Sequence, residues 1–315
     1  MGISYFDLHC DTLGVAFNTK QHLYKNRLCV DFERMRRFSS AGAFFAIWAV
    51  KEEYPSPFEY VRKCVNYFKG QIAENGEKVM LVSPKDYFKL KASGKALICL
   101  SVEGGDALES DLDNIYKLKN MGIGLLTLVW NNKNELGCGT FFGCGDGLTG
   151  FGKSALSELE KTETIVDVSH LNERGFADVC CLATKPFLAT HSNCFKICSH
   201  ERNLKDWQIK EIARFGGVIG LNLYSLFLNG RTSSSVLDVL KHADHITKIA
   251  KTTDCIAIGT DFDGMPYPVK EMNGISGMSI LKNVLTKAFG SDSTEKILWK
   301  NAANFFERFY SGNED

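Results

Sequence analysis

The chain carries no net charge, because its 37 lysines and arginines equal its 37 aspartates and glutamates. A protein without surplus positive charge has no long-range attraction for nucleic acid or for an anionic membrane surface. No window reaches the roughly 18 consecutive apolar residues of a membrane-spanning helix. The N-terminal segment MGISYFDLHCDT enters a strand-like pattern at once, which leaves no room for a signal peptide. We therefore expect a soluble, cytoplasmic protein that binds a small neutral or zwitterionic ligand.

Proline-rich linkers, internal repeats and low-complexity tracts are also missing. We therefore predict one domain over residues 1–310, followed by a disordered tail at 311–315. The 11 cysteines lie at scattered spacings and include the adjacent pair Cys180 and Cys181. Such spacings suit neither a disulfide framework nor a CxxC zinc site, so we expect reduced and mostly buried thiols.

Short runs rich in β-branched and aromatic residues alternate with longer amphipathic stretches, which is typical of parallel strands joined by helices. The eight runs are Ile3 to Leu8, Ala43 to Val50, Ala96 to Val102, Ile123 to Val129, Thr164 to Val168, Pro186 to Ala189, Gly217 to Leu223 and Cys255 to Gly259. A last stretch, DSTEKILWKNAANFFERF, predicts a closing helix with a capping-box spacing from Asp292 to Glu295. The pattern predicts an α/β fold, a (β/α)8 TIM barrel, over its rival, a doubly wound open sheet.

Polar side chains mark the carboxyl ends of five predicted strands. They are His9 and Asp11 on the first strand, Glu103 on the third, His170 on the fifth, His191 on the sixth and Asp261 on the eighth. The carboxyl rim of a β/α barrel is where active sites are built, so these side chains are expected to converge. Imidazoles and carboxylates are the usual ligands of zinc, and this set is large enough for two ions that share a carboxylate.

Each of these residues also has a structural interpretation when it is taken alone. His9 fits a hydrogen-bonded core histidine, Glu103 fits a buried salt bridge, and single histidines after strands are more often structural than ligating. Asp261 and Asp263 also suit a turn before a glycine, and Asp263 competes with Asp261 for any catalytic role. The combination of all of them on neighbouring strands favours a metal site.

The motifs HxD, EGG, DVSH, THSN, RN and GTDFDG occur in this order from the first strand to the last. In this order and spacing they resemble the renal (membrane) dipeptidase family of zinc metallopeptidases, within the amidohydrolase-like barrel superfamily. The resemblance covers nearly the whole chain and implies a dipeptidase in which a hydroxide bridging two zinc ions attacks the peptide bond. It also implies a dipeptide substrate, including one with a C-terminal D-residue, and a homodimer.

The resemblance also implies roles for single residues. It makes His9 and Asp11 ligands of one zinc ion, Glu103 the bridge between two, His170 and His191 ligands of the other, Asp261 the proton-transfer carboxylate and Arg202 the group that binds the substrate's terminal carboxylate. Manganese, cobalt and iron suit the same ligands.

One position departs from the mammalian members of the family, which have a substrate-contacting histidine after the fourth strand. This chain has Trp130 there, so we predict substrate contacts from Trp130 and Asn131, with Asn134 as a further candidate. Two alternatives stay open: another amide or ester hydrolase of the superfamily, such as an N-acyl amino acid amidase or a lactonase, and a barrel that binds without catalysis.

Overall fold

The computed structural model describes residues 2–76, 78–87 and 93–311. All of its strands belong to one parallel sheet, and they are β1 (Ser4–Cys10), β2 (Ser40–Trp48), β3 (Val79–Leu81), β4 (Ala96–Glu103), β5 (Ile123–Thr127), β6 (Ile165–Asp167), β7 (Leu188–Ala189), β8 (Val218–Leu221) and β9 (Ile256–Ile258). β1 pairs with both β2 and β9, and β2 pairs with β4, so eight of the nine strands close into a barrel. The predicted TIM barrel is confirmed.

β3 is the strand that the sequence does not predict. It pairs with the first half of β4, from Ala96 to Ile98, whereas β5 pairs with the second half, from Leu100 to Glu103. β3 therefore fills the amino-terminal end of the gap between two barrel strands. It has only three residues, and two of these are partly exposed, so it lacks the long apolar run by which a buried parallel strand is recognised.

Helices cover the outside of the barrel. They are α1 (Thr12–Thr19), α2 (Phe32–Met35), α3 (Pro57–Asn75), α4 (Asp113–Met121), α5 (Gly150–Lys161), α6 (Glu173–Leu182), α7 (Asp206–Arg214), α8 (Ser225–Asn229), α9 (Val236–Ala250), α10 (Met278–Glu295) and α11 (Asn301–Ser311). α3 shows why such segments are helical. The Ser56 side chain accepts a hydrogen bond from the Glu59 amide, Pro57 fills the first position, and Tyr60, Cys64 and Phe68 form its buried stripe.

The closing segment is longer than predicted and is interrupted. α10 already begins at Met278, leaves helical geometry at Gly290 (φ 79°, ψ 169°) and continues through a π-helical turn at Lys296–Lys300 into α11. The predicted start at Asp292 therefore marks the restart after the break. Ser311, the first residue of the predicted tail, ends α11, and residues 312–315 lie outside the described part.

One end of the barrel is sealed by aromatic side chains. Alternate residues of the strands fill the interior, and α11 adds Phe305 and Phe306 below them. The Phe306 ring centroid lies 5.2 Å from that of Phe6, 6.0 Å from that of Phe44 and 6.3 Å from that of Tyr87. The opposite, carboxyl end is thus the one left for a site. Among the helices of the described ranges, none is long and apolar enough to cross a membrane.

Candidate metal centre

The carboxyl ends of the strands bring the predicted ligands together around Glu103, the last residue of β4. Its Oε1 lies 2.8 Å from His170 Nε2 and 3.5 Å from His191 Nε2, and its Oε2 lies 3.8 Å from His9 Nε2. His9 Nε2 is also 3.4 Å from Asp11 Oδ2. The two carboxylate oxygens thus face different histidines, which is the arrangement that a shared ligand requires.

The side chains offer two overlapping sets of donor atoms. In His9, Glu103 and His191, and again in His9, Asp11 and Asp261, one donor atom from each residue lies within 4.8 Å of the others. Three carboxylates and three imidazoles so close together, and nearly all buried, are costly without a cation. Both ring nitrogens of His9 are buried and have no hydrogen-bond partner among the residues that the structure describes. These unpartnered nitrogens fit a metal ligand and not the hydrogen-bonded core histidine that the sequence left open.

Burial and the neighbouring carboxylates give the three histidines different protonation states. It lowers the pKa of His170 and His191 well below the usual range, which keeps both rings neutral, the form that binds metal. At His9 burial also acts to lower the pKa, but Glu103 and Asp11 outweigh it and raise the value to about 10. Burial, together with Asp11 and Asp261, raises the pKa of Glu103 to about 8 against the opposing effect of His9. A bound cation would take the place of the protons that these raised pKa values put on His9 and Glu103.

The ring of His170 is oriented by Asn131. The Asn131 side-chain oxygen lies 2.8 Å from His170 Nδ1 and can only accept, so Nδ1 carries the hydrogen and Nε2 presents its lone pair towards Glu103. The sequence suggested Asn131 for substrate contact; the structure places it beside the cavity but bonded to this histidine. Asn134 lies elsewhere, buried, with its amide bonded to Asp106, Leu128, Leu136 and Gly137.

Asp261 follows β9 and lies against the Asp11 side of the cluster. Asn222 Nδ2 donates to its Oδ2 over 2.9 Å, and burial together with Asp11 raises the pKa of its carboxyl to about 6. A carboxyl with that pKa can exchange a proton near neutral pH. A Cβ at Gly264 would lie 2.2 Å from Asp11 Oδ2 and 3.0 Å from Asp261 Oδ1, so a larger residue there would displace the Asp11 carboxylate. The rival Asp263 is bonded to the Thr12 hydroxyl and the Cys29 amide.

Arg202 is buried behind His191 and donates from Nη2 to the His191 carbonyl over 3.3 Å. Its guanidinium carbon lies 5.4 Å from the Phe227 ring centroid, and within the described part of the chain its Nε has no hydrogen-bond partner. Burial lowers the pKa of Arg202 to about 10, so the group keeps its charge at neutral pH. Among the described residues, Arg202 and Ser192, whose hydroxyl is also unpartnered, line a cavity of about 320 Å³ that His170 lines as well.

A larger cavity of about 590 Å³ opens onto the donor atoms of the cluster. Aromatic side chains make up much of its wall: Trp48, Tyr54, Tyr60, Trp130, Phe141, Tyr224 and Phe227. Trp130 stands edge-on to Trp48, with ring centroids 4.9 Å apart, so it lines the cavity as a wall. Asp11, Glu103, His170 and Asp261 form its polar floor, and no Lys or Arg of the described ranges lines it.

Sequence reasoning missed several residues of this wall. His200 lines the cavity between the rings of Phe141 and Phe227, at centroid distances of 5.7 Å and 4.5 Å. Trp48 could have been found, because it lies near the carboxyl end of the predicted strand Ala43 to Val50 and ends the observed strand β2 at the same rim. Tyr224 and Phe227 come from the segment after β8, where no periodic pattern identifies which side chains face the site.

A disulfide between Cys138 and Cys144 corrects the expectation that all cysteines are reduced. The bond closes a loop of the rim that carries Phe141, and the Thr140 amide of that loop donates to the His170 carbonyl over 2.9 Å. Scattered spacing does not reveal such a pair, because the loop fold alone brings the two cysteines together. Disulfides persist in oxidising surroundings, whereas we expected a reducing cytoplasm.

A sealed barrel with imidazoles and carboxylates gathered at its open end is the arrangement of metal-dependent hydrolases. Residues 2–310 match the family described as membrane dipeptidase, peptidase family M19. The chain belongs to this family and is one of its metallopeptidase enzymes. The resemblance found in the sequence is thereby confirmed.

Individual proteins are also similar to this chain over most of its length. An uncharacterised protein in the pqqA 5′ region of Klebsiella pneumoniae is 30% identical over an alignment of 258 residues that covers 78% of this chain and 94% of that protein. The crystal structure of dipeptidase AC, a family M19 metallo peptidase, superposes with a TM-score of 0.90 at 25% identity, covering 98% of this chain and 99% of the other. A metallo peptidase from Rhodobacter sphaeroides, solved with a phosphinate mimic of L-Ala-D-Ala, has the same fold, with a TM-score of 0.89, 23% identity and coverage of 98% and 100%.

Proposed function

We propose that this protein hydrolyses dipeptides with the help of two metal ions, for which zinc is the expected metal. The residues proposed to hold them are His9, Asp11, Glu103, His170 and His191. The observation that carries the proposal is the position of Glu103, whose Oε1 faces two neutral histidines and whose Oε2 faces His9. Bound zinc ions would supply a Lewis acid for the scissile carbonyl and would lower the pKa of water.

Asp261 is proposed to move the proton. Its Oδ2 is held by Asn222, and its pKa of about 6 allows it to take a proton from water and pass it to the departing amine. Arg202 is proposed to bind the free carboxylate of the substrate, since its Nε is unpartnered and its charge is buried. Arg202 lines the smaller cavity, which shares His170 with the larger one, so the proposal requires the substrate to reach from one cavity into the other. The aromatic wall is proposed to cover the peptide and exclude water, which favours apolar side chains over acidic ones.

The test combines elemental analysis of the purified protein with hydrolysis of a panel of L-L and L-D dipeptides, with and without chelator. We expect about two zinc ions per chain and cleavage that stops with chelator and returns with zinc. The ligand in the Rhodobacter sphaeroides structure makes L-Ala-D-Ala one compound of the panel. Bound metal without dipeptide cleavage would instead favour another amide or ester, and protein without metal or activity would refute the proposal.

A further inference from the structure

Asp167, the last residue of β6, is a fully buried carboxylate that is surrounded by donors. Its Oδ1 accepts the Ser169 and Thr190 amides, each at 2.9 Å, and its Oδ2 accepts the Thr127 and Thr190 hydroxyls, each at 2.7 Å. Four donors satisfy an ionised carboxylate without any added hydrogen. Asp167 therefore acts only as an acceptor, and both hydroxyl groups must donate to it.

The Thr190 hydroxyl connects this carboxylate to His191. Its oxygen lies 2.7 Å from Asp167 Oδ2 and 2.8 Å from His191 Nδ1. A hydroxyl has one hydrogen, and Thr190 donates it in the hydrogen bond to Asp167. Thr190 Oγ1 can therefore only accept a hydrogen bond from His191. The remaining lone pair faces the Ser169 hydroxyl at 3.3 Å. His191 is thus held with its hydrogen on Nδ1 and its lone pair on Nε2.

The bare nitrogen points into the cluster. His191 Nε2 lies 3.5 Å from Glu103 Oε1 and 2.9 Å from His170 Nε2, where it can bind metal only without a hydrogen. We propose that Asp167 and Thr190 are positioning residues that hold His191 in its metal-binding tautomer. This inference rests on the proposed metal site and adds two residues that act through a ligand without touching metal or substrate.

A second carboxylate and threonine pair in the barrel shows what is particular to the first. Asp7 accepts the Thr260 amide at 2.9 Å and the Thr260 hydroxyl at 2.6 Å, so this pair also ties neighbouring strands together. The Thr260 oxygen then accepts the Phe262 amide at 3.1 Å, and neither ring nitrogen of His9 has a hydrogen-bond partner. Tying strands is therefore common to both pairs, whereas control of a tautomer belongs to Thr190.

The experiment compares Thr190→Val with Thr127→Val in the full-length protein. Both variants remove a hydroxyl that donates to Asp167 Oδ2 at the same distance, but only Thr190 contacts His191. Co²⁺ affinity is measured on metal-stripped protein by visible absorption, and the His191 tautomer by ¹⁵N NMR of labelled histidine. We expect affinity to fall about 10- to 100-fold in Thr190→Val, with Nε2–H now populated, and to stay within about threefold in Thr127→Val.

Thr190→Ser keeps the hydroxyl and is expected to restore both the affinity and the Nδ1–H tautomer. Equal Co²⁺ affinities for Thr190→Val and Thr127→Val, or an unchanged tautomer in Thr190→Val, would overturn the inference. If the wild-type protein binds no Co²⁺, the proposed metal site itself fails, and the NMR comparison still decides whether Thr190 sets the tautomer. A loss of melting temperature that is equal in both valine variants reports the shared role in tying strands and is measured separately.

Discussion

Three site residues adopt a left-handed backbone conformation that residues other than glycine rarely adopt. His170, Asp261 and Asp263 have φ of 69°, 61° and 69°. Such positions cost about 1–3 kcal/mol each and persist only where the surroundings impose them. His170 lies in the segment just after β6, and Asp261 and Asp263 lie in the segment just after β9. The barrel therefore holds these side chains at the rim at the expense of stability.

Replacing Asp261 with asparagine tests its role as a proton carrier. The amide can keep the hydrogen bond to Asn222 after a flip but cannot accept a proton, so kcat is expected to fall by a factor of about 100 or more. Metal content, measured on the same sample, is expected to change little. Asp263→Asn is the comparison, because its carboxylate is already engaged by Thr12 and Cys29 and its loss is expected to lower stability more than kcat. Equal kcat losses in the two variants would contradict the assignment.

Arg202→Ala is expected to raise KM for a dipeptide about 100-fold, because a charge-assisted bond to the terminal carboxylate is lost. A dipeptide amide has no such carboxylate, and its cleavage is expected to be equally slow with both proteins. Steady-state kinetics with the acid and the amide measure the difference. A loss that is the same for both substrates would show that Arg202 supports the His191 backbone and does not bind the carboxylate.

His242 predicts an acid-sensitive stability. Its Nδ1 accepts the Cys194 amide at 3.0 Å, its Nε2 donates to the Leu228 carbonyl at 2.9 Å, and burial lowers its pKa to about 4. The unfolded chain takes up the proton near pH 6.5 and the folded one only near pH 4, so stability is full above 6.5 and falls by about 2–3 kcal/mol between these values. Urea unfolding at a series of pH values measures this, and His242→Gln is expected to flatten the dependence. Parallel curves would refute it.

At the scale of elements, the eight barrel strands were predictable because strands buried on both faces are nearly continuous apolar runs. The convergence of the predicted ligands was predictable as well, because residues at the carboxyl ends of those strands must meet at one rim. β3 was not, because its three residues leave no such run. The cavity wall from His200, Tyr224 and Phe227 was not either, because the loops that carry it follow no period and are shaped by contacts distant in sequence.

The disulfide loop predicts an effect on substrate binding. Replacing both Cys138 and Cys144 with serine frees the loop that carries Phe141 over the cavity. We expect KM for an apolar dipeptide to rise roughly threefold, with kcat within about twofold, because the loop covers the site without taking part in proton transfer. Cys181→Ser, which removes an exposed free thiol, is the control and is expected to leave both constants unchanged. Identical KM values for the double variant and the control would show that the bond does not shape the cavity.

For the whole molecule, the metal is expected to contribute to stability. Without a cation the carboxylates of Asp11, Glu103 and Asp261 lie close together with little to balance them except His9 and Arg202. Binding at a concentration about 1,000 times Kd stabilises by about 4 kcal/mol, so removing the metal is expected to lower Tm by about 5 °C or more. Thermal unfolding with chelator, followed by added zinc, measures the shift. A Tm that changes neither with chelator nor with added zinc would contradict a bound metal at this site.

The pairing of β1 with β9 has a consequence for how the protein matures. Asp11 is made 250 residues before its neighbour Asp261. The donor set of His9, Asp11 and Asp261 therefore forms only after β9 has paired with β1. We expect a chain that holds both proposed metal ions to have closed its barrel already.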